Sequence, residues 1–174
     1  VRRHVVLIGL PGSGKTTVGR LAAGLLGGEF RDADEEIVAR SGTSVERIFA
    51  ERGEAAFRAL EREAMEALLA AEPAVLAPGG GWAAQPGALD SARGRALLIY
   101  LATDPATCAA RASAGGAVRP LLAGPDVETR MRNLLAEREG SYRQAECRVA
   151  TDGLAPARVA AMAAAAARNF GGWA

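Results

Sequence analysis

The stretch "GLPGSGKTT", residues 9 to 17, follows directly on the apolar run "HVVLI". It has the spacing G-x-x-x-x-G-K-[ST] and lies between a strand-like and a helix-like segment. Glycines at these positions let the backbone curl until consecutive N–H groups face inward, toward phosphate oxygens. The helix that follows adds the positive end of its dipole. The pattern predicts a bound nucleoside triphosphate, ATP or GTP, held by Gly12, Ser13, Gly14, Lys15, Thr16 and Thr17. Lys15 would bridge the outer phosphates, and the Thr16 hydroxyl would ligate Mg2+. Composition agrees, because among the 21 basic side chains Lys15 is the one lysine. A chain that uses arginine everywhere else keeps a compact ammonium where a planar fork would not fit.

A bound triphosphate leaves open what accepts its phosphoryl group. Asp32 and Asp34 stand two apart at the end of a short strand, "EFRDAD", so both side chains point the same way. One carboxylate would hold Mg2+, and the other would orient or deprotonate an attacking hydroxyl. An acidic pair at a helix start is also ordinary capping. Arg58, in "GEAAFRALERE", has Glu54 four residues before it and Glu61 three after, as a helix-surface ion pair would. The glycines Gly79, Gly80 and Gly81 follow "AVLAP" and remove side chains where backbone must approach a ligand. Arg119, in "RPLLAG", sits in a loop flanked by glycines, as in a lid that closes over phosphates. Arg138, in "AEREGSYR", fits a surface position equally well.

The elements that must position these groups alternate along the chain. Strands are predicted at "HVVLIG", "EFRDAD", "PAVLAPGGG", "RALLIYLAT" and "CRVAT". Helical patterns fill the spaces between them, beginning with "KTTVGRLAAGLLGG" and ending with "APARVAAMAAAAARN". Such alternation predicts an α/β fold: one domain, residues 1–174, with a five-stranded parallel sheet covered by helices on both faces. Residues 34–71, helical and without strands, read as an inserted helical subdomain, and residues 112–125 read as the lid.

Together "GLPGSGKTT", "DADEEI", "GTSVERIFAERGEAAFRALE", "GGG" and "RPLLAG" resemble, in order and separation, the motifs of the shikimate kinases. These are P-loop small-molecule kinases related to the nucleoside monophosphate kinases. The resemblance runs from about residue 5 to about residue 160, and its middle block is the most specific part. It implies ATP-dependent phosphorylation of the 3-hydroxyl of shikimate, in the route to chorismate and the aromatic amino acids. It further implies that Asp34 contacts the accepting hydroxyl and Asp32 helps hold Mg2+. Arg58 and Arg138 would clamp the shikimate carboxylate, the backbone of Gly79, Gly80 and Gly81 would line its ring, and Arg119 would reach the transferring phosphoryl group. Arg111 and Pro156 match positions near the adenine. Trp82 departs from the small or aliphatic residue that usually follows the glycines in that family; it is expected to pack beneath the loop as core, the alternative being that it narrows the acceptor pocket and so bears on substrate identity.

Other acceptors used by related kinases, gluconate or a nucleoside monophosphate, keep the same fold; a carboxylate clamp alone does not separate shikimate from gluconate. A nucleotide switch without turnover would need no shaped second pocket. The net charge of +1 gives no basic field for nucleic acid or an anionic membrane. The alanine-rich end "AAMAAAAA" is too short to cross a bilayer. Two cysteines far apart form neither a disulfide framework nor a metal pattern, and the opening residues are not expected to act as an export leader. The expectation is a monomeric, cytoplasmic enzyme in which His4 is unremarkable and the tail "RNFGGWA" covers an apolar edge.

Overall fold

In β1 (His4–Ile8), Val5 and Leu7 face one side of the sheet and Val6 and Ile8 the other, and all are buried. A strand apolar on both faces belongs in the middle of a sheet covered twice. Accordingly β1 lies at the centre of the order β2-β3-β1-β4-β5, with β2 (Phe30–Asp32), β3 (Val75–Ala77), β4 (Ala96–Ala102) and β5 (Cys147–Ala150). Every pairing is parallel, with Ile8 beside Tyr100 and Asp32 beside Ala77. The carboxyl ends of all five strands therefore open on one edge, which is where ligands bind in sheets of this kind. This is the five-stranded parallel sheet expected from the sequence. The computed structural model describes residues 1–115 and 120–174.

Helices α1 (Lys15–Leu26) and α7 (Pro156–Phe170) cover the face that carries Val5, Leu7, Leu97, Ile99 and Leu101. The opposite face packs on α3 (Val45–Ala70), α4 (Ala88–Ala92), α5 (Pro105–Ala114) and α6 (Val127–Tyr142). Between β2 and the body of α3, α2 (Ala33–Ser41) and the start of α3 enclose a small separate cluster of Ile37, Ile48, Phe57 and Ala64. Within the helical block read over residues 34–71, α3 kinks at Gly53, which adopts φ 80° and ψ 174°. Only glycine takes that conformation without strain. The kink restarts the helix so that Phe57 joins the small cluster while Arg58 lines the cavity described below.

Between β3 and β4 two elements left unassigned from the sequence appear, a 3-10 turn at Trp82–Ala84 and the short α4. Trp82 is 1% exposed within the apolar cluster that contains Met65, Leu69 and Tyr142, so it is core, as expected. At the far edge of the sheet Trp173 is also buried, and its indole N–H donates to the Arg3 carbonyl at 2.9 Å. The tail thus closes over the amino ends of the strands. His4 lies there too, with Nδ1 accepting from the Ala74 N–H at 3.2 Å, far from the ligand edge.

Candidate active site

The loop after β1 turns through two left-handed glycines, Gly12 at φ 81° and Gly14 at φ 94°. Space as well as torsion demands glycine at position 12, since a Cβ there would stand 2.7 Å from the Cys108 carbonyl oxygen. Gly14 is the N-cap of α1 and supplies no side chain, so the first N–H groups of that helix face the loop's concavity. Lys15 is buried, and its Nζ donates to the Gly9 and Leu10 carbonyls, each at 2.8 Å, with Ser13 Oγ at 3.5 Å. The ammonium is therefore held over the loop. Arg111 reaches across from α5 to donate to the Gly12 carbonyl at 3.2 Å.

Thr16, in the first turn of α1, donates from Oγ1 to Asp32 Oδ2 at 3.0 Å. Asp32 Oδ1 accepts from the Asp34 N–H at 2.8 Å and the Glu35 N–H at 3.4 Å, so the residue also caps α2. Capping and cation binding were alternatives in the sequence; the geometry lets one oxygen cap while the other faces Thr16. Two oxygen donors meeting at the mouth of a phosphate loop suit a hard divalent cation.

A cavity of about 580 Å³ connects this loop with the acceptor side. Gly12, Gly14, Lys15, Thr16, Thr17, Asp32 and Arg111 line one end, and Asp34, Arg58, Gly79, Gly80 and Arg138 the other. Its size falls in the range of small-molecule sites. Six separate segments contribute the two ends, which is why no single motif shows the acceptor side.

The surface-pair reading of Arg58 is realised and is also incomplete. Arg58 donates to Glu61 at 2.8 Å and to Glu54 at 3.4 Å while lining the cavity. Glu61 is fully buried, so this pair is an internal strut. Burial holds the Glu61 carboxyl above its usual range, with Arg58, then Arg138 and the Gly79 backbone, opposing the shift only in part. The three glycines fit against these groups. A side chain at Gly79 would run into Glu61, at Gly80 into Pro11, and at Gly81 into the Arg58 guanidinium. Arg138 is buried in α6 rather than on the surface. One turn further, Tyr142 donates its hydroxyl to the Gly80 carbonyl and stacks on Tyr100 with ring centres 5.1 Å apart.

Some predicted residues stand apart from the cavity lining. Ser13 lies beneath the loop, Gly81 backs onto Arg58, and Pro156 is exposed at the head of α7. Arg119, in the middle of the expected lid, lies outside the described residues. Glu61 and Tyr142 were not foreseen as part of the site. The available signals were a glutamate three residues after Arg58 and a tyrosine four after Arg138, each one helical turn away.

A parallel 2-3-1-4-5 sheet with a lysine-bearing glycine loop after its central strand defines a P-loop phosphotransferase architecture. A family model described as shikimate kinase matches residues 11–167, and the chain belongs to that family. A shikimate kinase of Mycobacterium avium (strain 104) is 46% identical over 140 residues, covering 80% of this chain and 78% of the relative. One from Salinispora arenicola (strain CNS-205) is 44% identical over 166 residues, covering 92% and 95%. Among solved structures, shikimate kinase from Acinetobacter baumannii in complex with shikimate superposes with a TM-score of 0.89 at 34% identity, covering 93% of this chain and 90% of that one.

Proposed function

We propose that this chain transfers the γ-phosphoryl group of ATP to the 3-hydroxyl of shikimate, giving shikimate 3-phosphate and ADP for the route to chorismate and the aromatic amino acids. The observation that carries this reading is the shared cavity in which Lys15 and Asp34 lie within the same walls as Arg58 and Arg138. Two guanidinium groups at one end suit a small acceptor that bears a carboxylate, because a planar fork grips a carboxylate through two parallel hydrogen bonds. Held there by Arg58 and Arg138, with its ring against the backbone of Gly79 and Gly80 and with Gly81 behind them against Arg58, the acceptor presents a hydroxyl to Asp34.

Asp34 orients that hydroxyl and takes its proton as the oxygen attacks the γ-phosphorus and the bond to the β-phosphate oxygen breaks. Lys15 and the loop N–H groups of Gly12, Ser13, Gly14, Thr16 and Thr17 hold the outer phosphates in line. Thr16 and Asp32 are the residues suited to Mg2+, which when bound would offset the charge of those phosphates. Arg119 is assigned to the transferring group, and Arg111 and Pro156 to the adenine side. In this reading residues 34–71 form the acceptor subdomain of a single domain, and closure of the lid, residues 112–125, keeps water from consuming ATP. The enzyme is taken as a cytoplasmic monomer. No helix among the described residues is long and apolar enough to cross a membrane.

The test is product identity. Incubation with Mg·ATP and shikimate should yield a monophosphate whose phosphorus couples to the C3 proton in a phosphorus–proton NMR spectrum. Phosphate found elsewhere on the ring, or only as inorganic phosphate, would overturn the assignment.

A further inference from the structure

Gln85 ends the 3-10 turn that Trp82 anchors in the core, with its N–H donating to the Trp82 carbonyl at 3.0 Å. The side chain reaches Glu61. Its Nε2 donates to Glu61 Oε2 at 2.7 Å, the same oxygen that accepts from Arg58 at 2.8 Å. The far end of the amide, Oε1, accepts from Arg62 at 3.3 Å. The neighbours dictate this orientation, since a carboxylate can only accept and a guanidinium can only donate. Glu61 thus has one oxygen fixed by a donor from its own helix and a donor from the loop after the glycines.

We propose that Gln85 is a positioning residue for acceptor binding, acting through Glu61 to set the orientation of Arg58. The inference rests on the carboxylate-clamp reading given above and goes beyond it, because Gln85 does not line the cavity. A buried carboxylate is costly unless its hydrogen bonds are made, and its ionised form is the one that holds a guanidinium in place. The groups that face Glu61 are Arg58 on its own helix, Arg138 from α6, Gln85, and the Gly79 backbone, with Asp34 Oδ1 4.0 Å from where a Gly79 Cβ would stand. Burial raises the Glu61 carboxyl, so withdrawing one of its donors favours the protonated form further. A protonated Glu61 holds Arg58 weakly, and the clamp loses its geometry before it loses its charge. The tryptophan after the glycines then has a function: it plugs the core and delivers Gln85 to Glu61.

Gln85→Met keeps the length of the side chain and removes its donor, and Gln85→Leu is the second variant should the first not fold. Steady-state kinetics are measured against pH with shikimate and ATP varied separately. The expected result is a KM for shikimate raised about tenfold, with kcat and the KM for ATP within about twofold. The acid limb of kcat/KM for shikimate should also move to higher pH. An unchanged KM for shikimate, or losses shared equally with ATP and kcat, would overturn the proposal and leave Gln85 a purely structural residue. A wild-type protein inactive on shikimate would instead overturn the reading beneath it.

Discussion

The Thr16 hydroxyl and the Asp32 carboxylate, one in the first turn of α1 and the other at the end of β2, are joined by a 3.0 Å hydrogen bond. That bond brings two oxygen donors together beside the phosphate loop, and the second oxygen of Asp32 caps α2. Asp32→Asn separates the two roles, because asparagine caps a helix as well as aspartate does but carries no charge for a cation. The variant should unfold at the wild-type denaturant midpoint and need at least about tenfold more Mg2+ for half-maximal activity. A magnesium titration checks this; an unchanged requirement would leave Asp32 a cap alone.

Arg58 bridges Glu54 and Glu61 while facing the cavity, which uses several of its five donors at once. Lysine keeps the charge and loses the fork. Arg58→Lys should raise the KM for shikimate about tenfold or more and change the KM for ATP little. Equal effects on both substrates would leave Arg58 an internal strut to Glu61 alone.

Tyr142 is fully buried, and burial pushes its hydroxyl up to about 12, so it remains a donor to the Gly80 carbonyl throughout the working pH range. Tyr142→Phe leaves that carbonyl short of a partner. The expected cost is about 1–3 kcal/mol in denaturant unfolding, with a severalfold rise in the KM for shikimate as the glycine turn loosens. Wild-type stability in the variant would show that the hydroxyl contributes nothing.

His4 makes a prediction about stability rather than activity. Burial holds its imidazole below the usual 6.5, against the pull of the Ala71 and Leu69 backbone. The unfolded chain therefore binds the proton more readily than the folded one. His4 contributes stability that is present above pH 6.5 and lost as pH falls through its folded value. Denaturant unfolding between pH 7.5 and pH 5 should show this decline, and His4→Gln should show a shallower one. Identical pH slopes would contradict it.

The donor side was legible in the sequence because it is local: the glycines, Lys15 and Thr16 fall within nine consecutive residues that also set the turn from β1 to α1. The five strands were legible for a related reason, since buried strands such as Ala96–Ala102 are continuous apolar runs. The proposed acceptor side was readable only through its resemblance to a family, because the groups assigned to it come from α2, α3, the glycine turn and α6. Arg138 illustrates the difficulty. Its helix carries charged residues all round, and only the packing of α6 against the glycine turn decides which of them is buried. Glu61 read only as a surface partner of Arg58, and Gln85 was not singled out, for the same reason, as neither is unusual until the other is beside it. Trp82 read correctly as core, because an indole next to three glycines has more apolar surface to bury than a small acceptor pocket can offer.

The most direct test of the central claim is ADP release from Mg·ATP with shikimate, gluconate and a nucleoside monophosphate offered in parallel. Shikimate alone should stimulate release strongly, an effect abolished in Lys15→Ala and sharply reduced in Asp34→Asn while ATP binding by the latter persists. Equal stimulation by gluconate or the nucleotide, or none by shikimate from a protein that binds ATP, would contradict it.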